Sequence, residues 1–205
     1  MLIIIGAGGH GKVVADIASL CGYKEIAFID DDTSLSSGNY SYPVIDIVEN
    51  TMKYKDSDFF VAIGNASVRE RIYKKLIEER LNIVTLIHPS AVTASGIDIG
   101  KGTVIMAGAI INPGSTIGNG CIINTAATVD HDCTINDFAH ISVGAHLGGT
   151  VNIGRSGWIG IGAAVINNTD ICDNCMIGGG AVVVNNIDTA GTYVGNPAKL
   201  IKKHI

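Results

Sequence analysis

Residues 99–123 read IGKGTVIMAGAIINPGSTIGNGCII, with an aliphatic side chain at Ile99, Ile105, Ile111, Ile117 and Ile123. Followed outward in both directions, the same step of six runs from Ile87 to Val183. Sixteen of its seventeen positions are Ile, Val or Leu, Thr93 being the exception. Four residues after each comes mostly a small side chain, as at Ala109, Ser115, Cys121, Ala127, Cys133 and Ala139. One residue after each, Gly or Asn is frequent, as at Gly100, Gly118, Asn124, Asn136 and Gly154. A period of six suits neither an α-helix of about 3.6 residues nor a strand of about two. It is the hexapeptide pattern of a parallel β-helix, whose aliphatic ladders point inward. The Gly and Asn positions are expected to supply the φ > 0 that sharp corners need. At three hexads per turn the ladder makes between five and six coils, a prism about 25 Å long at ~4.8 Å per coil.

Outside this ladder the sequence changes character. Leu2–Ile5 is a short apolar run ending in glycines, Lys12–Leu20 has helical spacing, and Glu25–Ile29 is a second strand closed by Asp30-Asp31-Asp32. Phe59–Ile63 is a third strand, and Ala66–Leu81 a charged amphipathic helix. Strand and helix in alternation argue for a small parallel sheet of Rossmann-like type. The expected division is therefore an α/β domain at 1–85 and a β-helix with a tail at 86–205.

Composition narrows the function classes. With 205 residues, 16% of them charged, the chain is long enough and apolar enough to bury real cores. A net charge of −5 gives no footprint for nucleic acid. The apolar start Met1–Ile5 is too short for a signal peptide or a membrane span, so a cytoplasmic protein without membrane insertion is expected. The odd set of five cysteines fits a reducing compartment.

Gly6-x-Gly8-x-x-Gly11 lies between a strand and a helix, with Asp30 some way beyond, which is the setting of a phosphate-holding loop at a helix N-terminus. A nucleotide sugar, a nicotinamide cofactor and a purely structural turn all remain open for it. The stretch before the ladder is short for a full dinucleotide fold. Gly8, Gly9, His10 and Gly11 are the candidate phosphate contacts, and Asp30 and Asp31 the candidates for ribose or base. Gly64 and Asn65 are expected at the same carboxyl edge, where ligands of open α/β sheets collect. Arg69 and Arg71 follow on the helix, as phosphate contacts or as surface charge. Further on, His131 falls two residues after an inward position and should project at a corner, beside Asp132. Residues eighteen apart stack on one face, so Gly149 should lie one coil beyond His131 and offer its N–H there. Cys172-x-x-Cys175 looks like half a zinc site, but no second pair accompanies it and no metal is expected.

Three segments carry a resemblance over nearly the whole chain: Gly6-Ala7-Gly8-Gly9-His10-Gly11, Val129-Asp130-His131-Asp132-Cys133 and Gly195-Asn196-Pro197-Ala198-Lys199. Together they resemble the hexapeptide-repeat nucleotide-aminosugar N-acetyltransferases of the bacillosamine and perosamine pathways, and the related sialic-acid O-acetyltransferases. The resemblance implies a left-handed prism, a homotrimer with sites between subunits, and acetyl-CoA as co-substrate. It implies His131 as general base with Asp132 as its partner, since an amine attacking a thioester must lose a proton and a neutral imidazole can take it. The Gly149 N–H becomes the candidate for the tetrahedral oxyanion, and His140 a contact for the acetyl group. Gly160, Ala163, Gly179, Pro197 and Lys199 are expected along the donor. The implied reaction moves acetyl from acetyl-CoA to the amine of a nucleotide-linked, UDP by expectation, 4-amino-dideoxy sugar. O-acetylation of a sugar and a non-catalytic sugar-nucleotide-binding trimer are the rival readings.

Overall fold

The computed structural model describes residues 1–32 and 41–204. They divide into two compact units, Met1–Pro89 and Ser90–Ile205.

The first unit is a parallel sheet with two helices. Its strands are β1 (Leu2–Ile5), β2 (Ile26–Ile29), β3 (Val44–Asp46), β4 (Asp58–Val61) and β5 (Asn82–Ile83), in the order β3-β2-β1-β4-β5. The central strand β1 is buried at every residue because helices cover the sheet, and a strand buried on both faces reads as an unbroken aliphatic run. Helix α1 (Gly9–Leu20) follows β1 directly, starting earlier than the apolar spacing predicts because it includes the glycines. Helix α2 (Ala66–Glu78) follows β4 and is capped by Asn65, whose side chain accepts from the Val68 N–H at 3.1 Å. Strand β3 and a 3₁₀ segment at Val48–Tyr54 lie where the sequence offers no clear period.

The second unit is a left-handed parallel β-helix. Two-residue strands turn around three faces. The first face carries Val92–Thr93, Ile110–Ile111, Thr128–Val129, His146–Leu147, Ala164–Val165 and Val182–Val183. The second carries Asp98–Ile99, Thr116–Ile117, Thr134–Ile135, Asn152–Ile153 and Asp170–Ile171. The third includes His140–Ile141, Trp158–Ile159 and Met176–Ile177, and passes into an antiparallel hairpin, Gly191–Val194 with Lys199–Lys203. Register advances by one coil per eighteen residues, as in Ile111 to Val129 to Leu147. The inward ladder residues and the small side chains between them make one continuous core, from Ile105 through Ala109, Cys121, Val129, Leu147 and Val165 to Val183. Ile87, at the head of the ladder in sequence, belongs to the first unit and is 37% exposed.

The corners correct one expectation. Positive φ falls three residues after each ladder position from Thr93 to Ile177, at glycines such as Gly114 and Gly144 and at Ala126, Asp132, Phe138, Thr150, Ser156, Asn168 and Asn174. The Gly that follows the ladder residue directly has a different task. At Gly118 an added Cβ would stand 2.6 Å from the Asp137 N of the next coil. Glycine there permits coil-to-coil approach, and the left-handed conformation belongs to the neighbouring position.

Candidate active site

The corner between the first and second faces carries Asp130-His131-Asp132. Asp132 holds φ +58°, a left-handed conformation that Asp tolerates better than most residues, and its N–H donates to Pro113 O at 3.0 Å. That turn brings its carboxylate back onto the imidazole: Asp132 Oδ2 lies 2.8 Å from His131 Nδ1. Asp130 supports the corner from beneath. Its Oδ1 accepts the His131 N–H at 2.8 Å and the Asn112 amide at 2.7 Å, and its carbonyl accepts the Ser115 hydroxyl at 2.7 Å. The Asp132 hydrogen bond and the neighbouring carboxylate charges hold the His131 imidazole above its ordinary value of 6.5. Both side chains are exposed, 59% and 64%, so the pair faces solvent.

With Nδ1 on Asp132, the opposite edge of the ring faces the next coil. There Gly149 lies against it: a Cβ at Gly149 would overlap the imidazole, with Nε2 nearest. The Gly149 carbonyl accepts from Asn168, and Thr150 donates to His131 O at 2.8 Å, which locks the two coils in register. Among the described residues no acceptor takes the Gly149 N–H. Cys133, two residues from His131, is fully buried in the prism, and burial pushes its thiol upward. It is no nucleophile for this corner.

His140 stands on the third face, away from the corner that carries His131, so one chain does not bring the two histidines together. It stacks on Trp158 with ring centroids 5.1 Å apart, and its Nε2 lies 3.1 Å from the Asn124 amide. Gly160 and Ala163 are the next residues expected along the donor. Both are buried; Gly160 N–H donates to Ile177 O, Ala163 N–H to Gly160 O, and Ala163 O accepts from His146. Ala163 occupies a small, inward position of the hexad, whereas Gly160, directly after the ladder residue Ile159, permits close approach of the next coil at Gly178–Gly179. Gly179, Pro197 and Lys199 are exposed, Pro197 after a cis peptide bond and Lys199 at the start of the last strand.

In the α/β unit the four glycines of the loop divide by task. Gly6, at φ +106°, and Gly11 shape the turn: a Cβ on Gly11 would collide with the Gly6 carbonyl, and one on Gly6 would stand 2.8 Å from Ala62 O. Gly8 and Gly9 are exposed with open space where a Cβ would be, so the N-terminus of α1 is bare. His10 is mostly buried, its Nε2 has no hydrogen-bond partner, and burial followed by the Arg69 charge lowers it to about 4. Asp30 Oδ2 accepts the Ala7 N–H at 2.7 Å and Oδ1 the Asp32 N–H at 2.9 Å, so the carboxylate braces the glycine loop. Asp31 Oδ1 likewise accepts from Val48. A cleft of about 110 Å³ nonetheless opens beside them, lined by Gly6, Asp30, Asp31, Ile63 and Arg71 among others. Gly64 and Asn65 lie at the same edge, Gly64 giving its carbonyl to Arg69 and Asn65 capping α2. Arg69 is 1% exposed and binds the carbonyls of Ile63 and Gly64 at 2.8 Å each, which places it under the edge, neither on a phosphate nor on the surface. Sequence reasoning misses the Asn112–Asp130 pair as well, although the eighteen-residue interval points to it.

Among the described residues no cluster of three His, Cys, Asp or Glu is placed to hold a metal ion, and no helix is long and apolar enough to cross a membrane.

Comparison with known proteins gives the same architecture a family. Residues 1–76 match the family model described as the PglD N-terminal domain. A stretch of 108 residues is 38% identical to UDP-N-acetylbacillosamine N-acetyltransferase of Bacillus subtilis (strain 168), covering 51% of this chain and only 50% of that protein. Over 98% of both chains, the structure is similar to the acetyltransferase domain of PglB from Neisseria gonorrhoeae FA1090, at 44% identity and a TM-score of 0.93; that domain has also been solved with acetyl coenzyme A. PerB from Caulobacter crescentus, solved with CoA and GDP-perosamine, is 35% identical with a TM-score of 0.92 over 98% of this chain and 96% of that one. The chain belongs to the hexapeptide-repeat sugar N-acetyltransferases of the bacillosamine and perosamine type.

Proposed function

We propose that this chain transfers acetyl from acetyl-CoA to the amino group of a nucleotide-linked 4-amino-dideoxy sugar, with UDP as the nucleotide. The observation that carries the mechanism is the His131–Asp132 pair, 2.8 Å apart at Nδ1, with the free edge of the ring on Gly149. Asp132 fixes the tautomer that leaves Nε2 as the acceptor and stabilises the imidazolium that forms. Nε2 takes a proton from the sugar amine as the nitrogen attacks the thioester carbon. The Gly149 N–H faces the developing oxyanion, and collapse expels the CoA thiol. Attack is direct, which the burial of Cys133 supports.

The nucleotide diphosphate sits at the open N-terminus of α1, against Gly8 and Gly9, where unpaired N–H groups and the helix dipole favour an anion. His10 presents a neutral imidazole to it, and Asn65, Gly64 and the cleft beside Asp31 receive the nucleoside. The donor runs past Gly179 to Pro197 and Lys199, whose ammonium meets its phosphates. A homotrimer completes the site, since His131 and His140 stand on different sides of one prism and a neighbouring copy can bring its His140 to this His131. The enzyme then works in the cytoplasm, where acetyl-CoA is made.

The test is mass spectrometry of products formed from acetyl-CoA with UDP-, dTDP- and GDP-linked 4-amino sugars and with unlinked sugars. Acetylation of the amine on a UDP-linked acceptor is the expected result. Acetylation of a hydroxyl on an unlinked sugar overturns the reading in favour of O-transfer. No CoA release with any acceptor overturns it in favour of a binding protein.

A further inference from the structure

Cys172 and Cys175 are the first and last residues of one β-helix corner, the turn after Asp170–Ile171. Asn174, the third residue of that turn, has φ +57° and folds the corner back on itself. The two sulfurs face each other at 3.4 Å. The ends of a four-residue turn lie within about 7 Å, and disulfides need Cα atoms about 4.4–6.8 Å apart. Closing the remaining gap to an S–S bond therefore requires side-chain rotation and no rebuilding of the corner.

Access differs between the two thiols. Cys175 points into the prism at a small-residue position and is 1% exposed. Cys172 is half-buried and lines an open groove of about 580 Å³ with Asn152, Asp170, Asp173 and Asp188. That groove lies along the second face, whose outward residues Asp98, Thr116, Thr134, Asn152 and Asp170 are all polar and exposed. A face of this composition is a solvent face, so a small polar oxidant reaches Cys172 along it.

We infer that Cys172 and Cys175 form a reversible disulfide site, opened and closed by exchange with a small-molecule disulfide of the glutathione class. The Cys172 thiolate attacks the external disulfide and expels one thiol, leaving a mixed disulfide on Cys172. The Cys175 thiolate then attacks the Cys172 sulfur and expels the second thiol. Two protons pass from the protein thiols to the two leaving thiols; the pair loses two electrons and the external disulfide gains them. Burial, followed by the Cys172 sulfur beside it, pushes the Cys175 thiol up to about 12, which makes the second step the slow one and faster at alkaline pH. None of this depends on the acetyl-transfer reading.

The experiment incubates the full folded chain with oxidised glutathione at pH 8, then measures intact mass and maps peptides after alkylation under denaturing conditions. The expected product is lighter by about 2 Da for the two hydrogens lost, with Cys172 linked to Cys175 and with Cys21, Cys121 and Cys133 alkylated. Dithiothreitol should restore all five thiols. Cys175→Ala is a tolerated variant, because Ala139 occupies the same column two coils earlier; it should stop at a glutathione adduct on Cys172. The inference is overturned if wild-type Cys172 keeps a stable adduct, if both thiols stay free, or if the alanine variant gains no adduct at Cys172.

Discussion

Gly149→Ala would place a methyl group where the His131 ring now lies. An ideal Cβ at that position stands 2.6 Å from His131 Cε1 and 3.0 Å from Cδ2, whereas unbonded carbon atoms rest at about 3.5–4.0 Å. The ring must retreat by about 1 Å, the difference between those separations. It is free to do so, because the side chain is 59% exposed and only its own tip is in the way. Gly149 is not among the glycines with positive φ, so alanine brings no backbone strain. The fold should lose no more than about 0.5 kcal/mol, the range of an ordinary surface change. Chemistry should lose far more, since a base misplaced by an ångström costs about 10²-fold in rate. The assay is release of the CoA thiol at saturating acetyl-CoA and saturating UDP-linked amino sugar, run beside a thermal melt followed by circular dichroism. A variant that melts like the wild type and also turns over like it refutes the placement of the thioester beside the His131–Gly149 contact. A large fall in Tm refutes the claim that this glycine serves the site and not the prism.

Asp132→Asn removes the acceptor that holds the imidazole above 6.5. In the proposed mechanism the base works deprotonated, so the acid limb of kcat/KM should move to lower pH while the plateau falls about 10²–10⁴-fold; an unmoved limb would count against His131 as the titrating group. His10 is lowered to about 4 by burial and the Arg69 charge. The unfolded chain therefore binds more protons between about pH 4 and 6.5, so up to about 3 kcal/mol of stability is lost as pH falls through that window. Urea melts of wild type and His10→Gln at pH 4.5 and 7.5 check this, and only the wild type should show the full fall. Gly11→Ala and Gly8→Ala should separate shape from binding: the first meets Gly6 O and should cost about 1–3 kcal/mol, while the second meets nothing within 4 Å and should weaken nucleotide binding in calorimetry with Tm unchanged. Ser115→Ala leaves the Cys133 N–H without the hydroxyl it donates to, a buried bond of 3.1 Å, and should cost about 1–3 kcal/mol in chemical denaturation.

The β-helix is legible because its core is one-dimensional. Each inward residue repeats at a fixed step, so the spacing of Ile105, Ile123 and Ile141 alone announces that they stack. The His131–Gly149 neighbourhood follows from the same interval. What escapes are contacts the interval does not rank. Arg69 has the sequence signature of an exposed helical arginine, yet its guanidinium serves two carbonyls at the end of β4. The acidic run after β2 reads as ligand-facing, but a short loop at a sheet edge has its own N–H groups to satisfy, and Asp30 is nearest to them. The two glycine positions of each corner cannot be told apart by composition, because both tasks, left-handed turn and close approach, select the same residue.

The eighteen-residue register also sets the units in which this protein can change length. Removing six residues from a coil would rotate everything after it by one face, and the outward histidines would land on a different side. Only whole turns can be added or deleted without that rotation, as repeat proteins grow by whole repeats. Between His131 and Gly149 even a whole turn would break the pairing, since it would slide a new coil between the imidazole and the glycine that now lies against it. Whole-turn growth is thus confined to the coils before 131 and after 149, and the single coil spanning 131–149 is the part whose length is fixed.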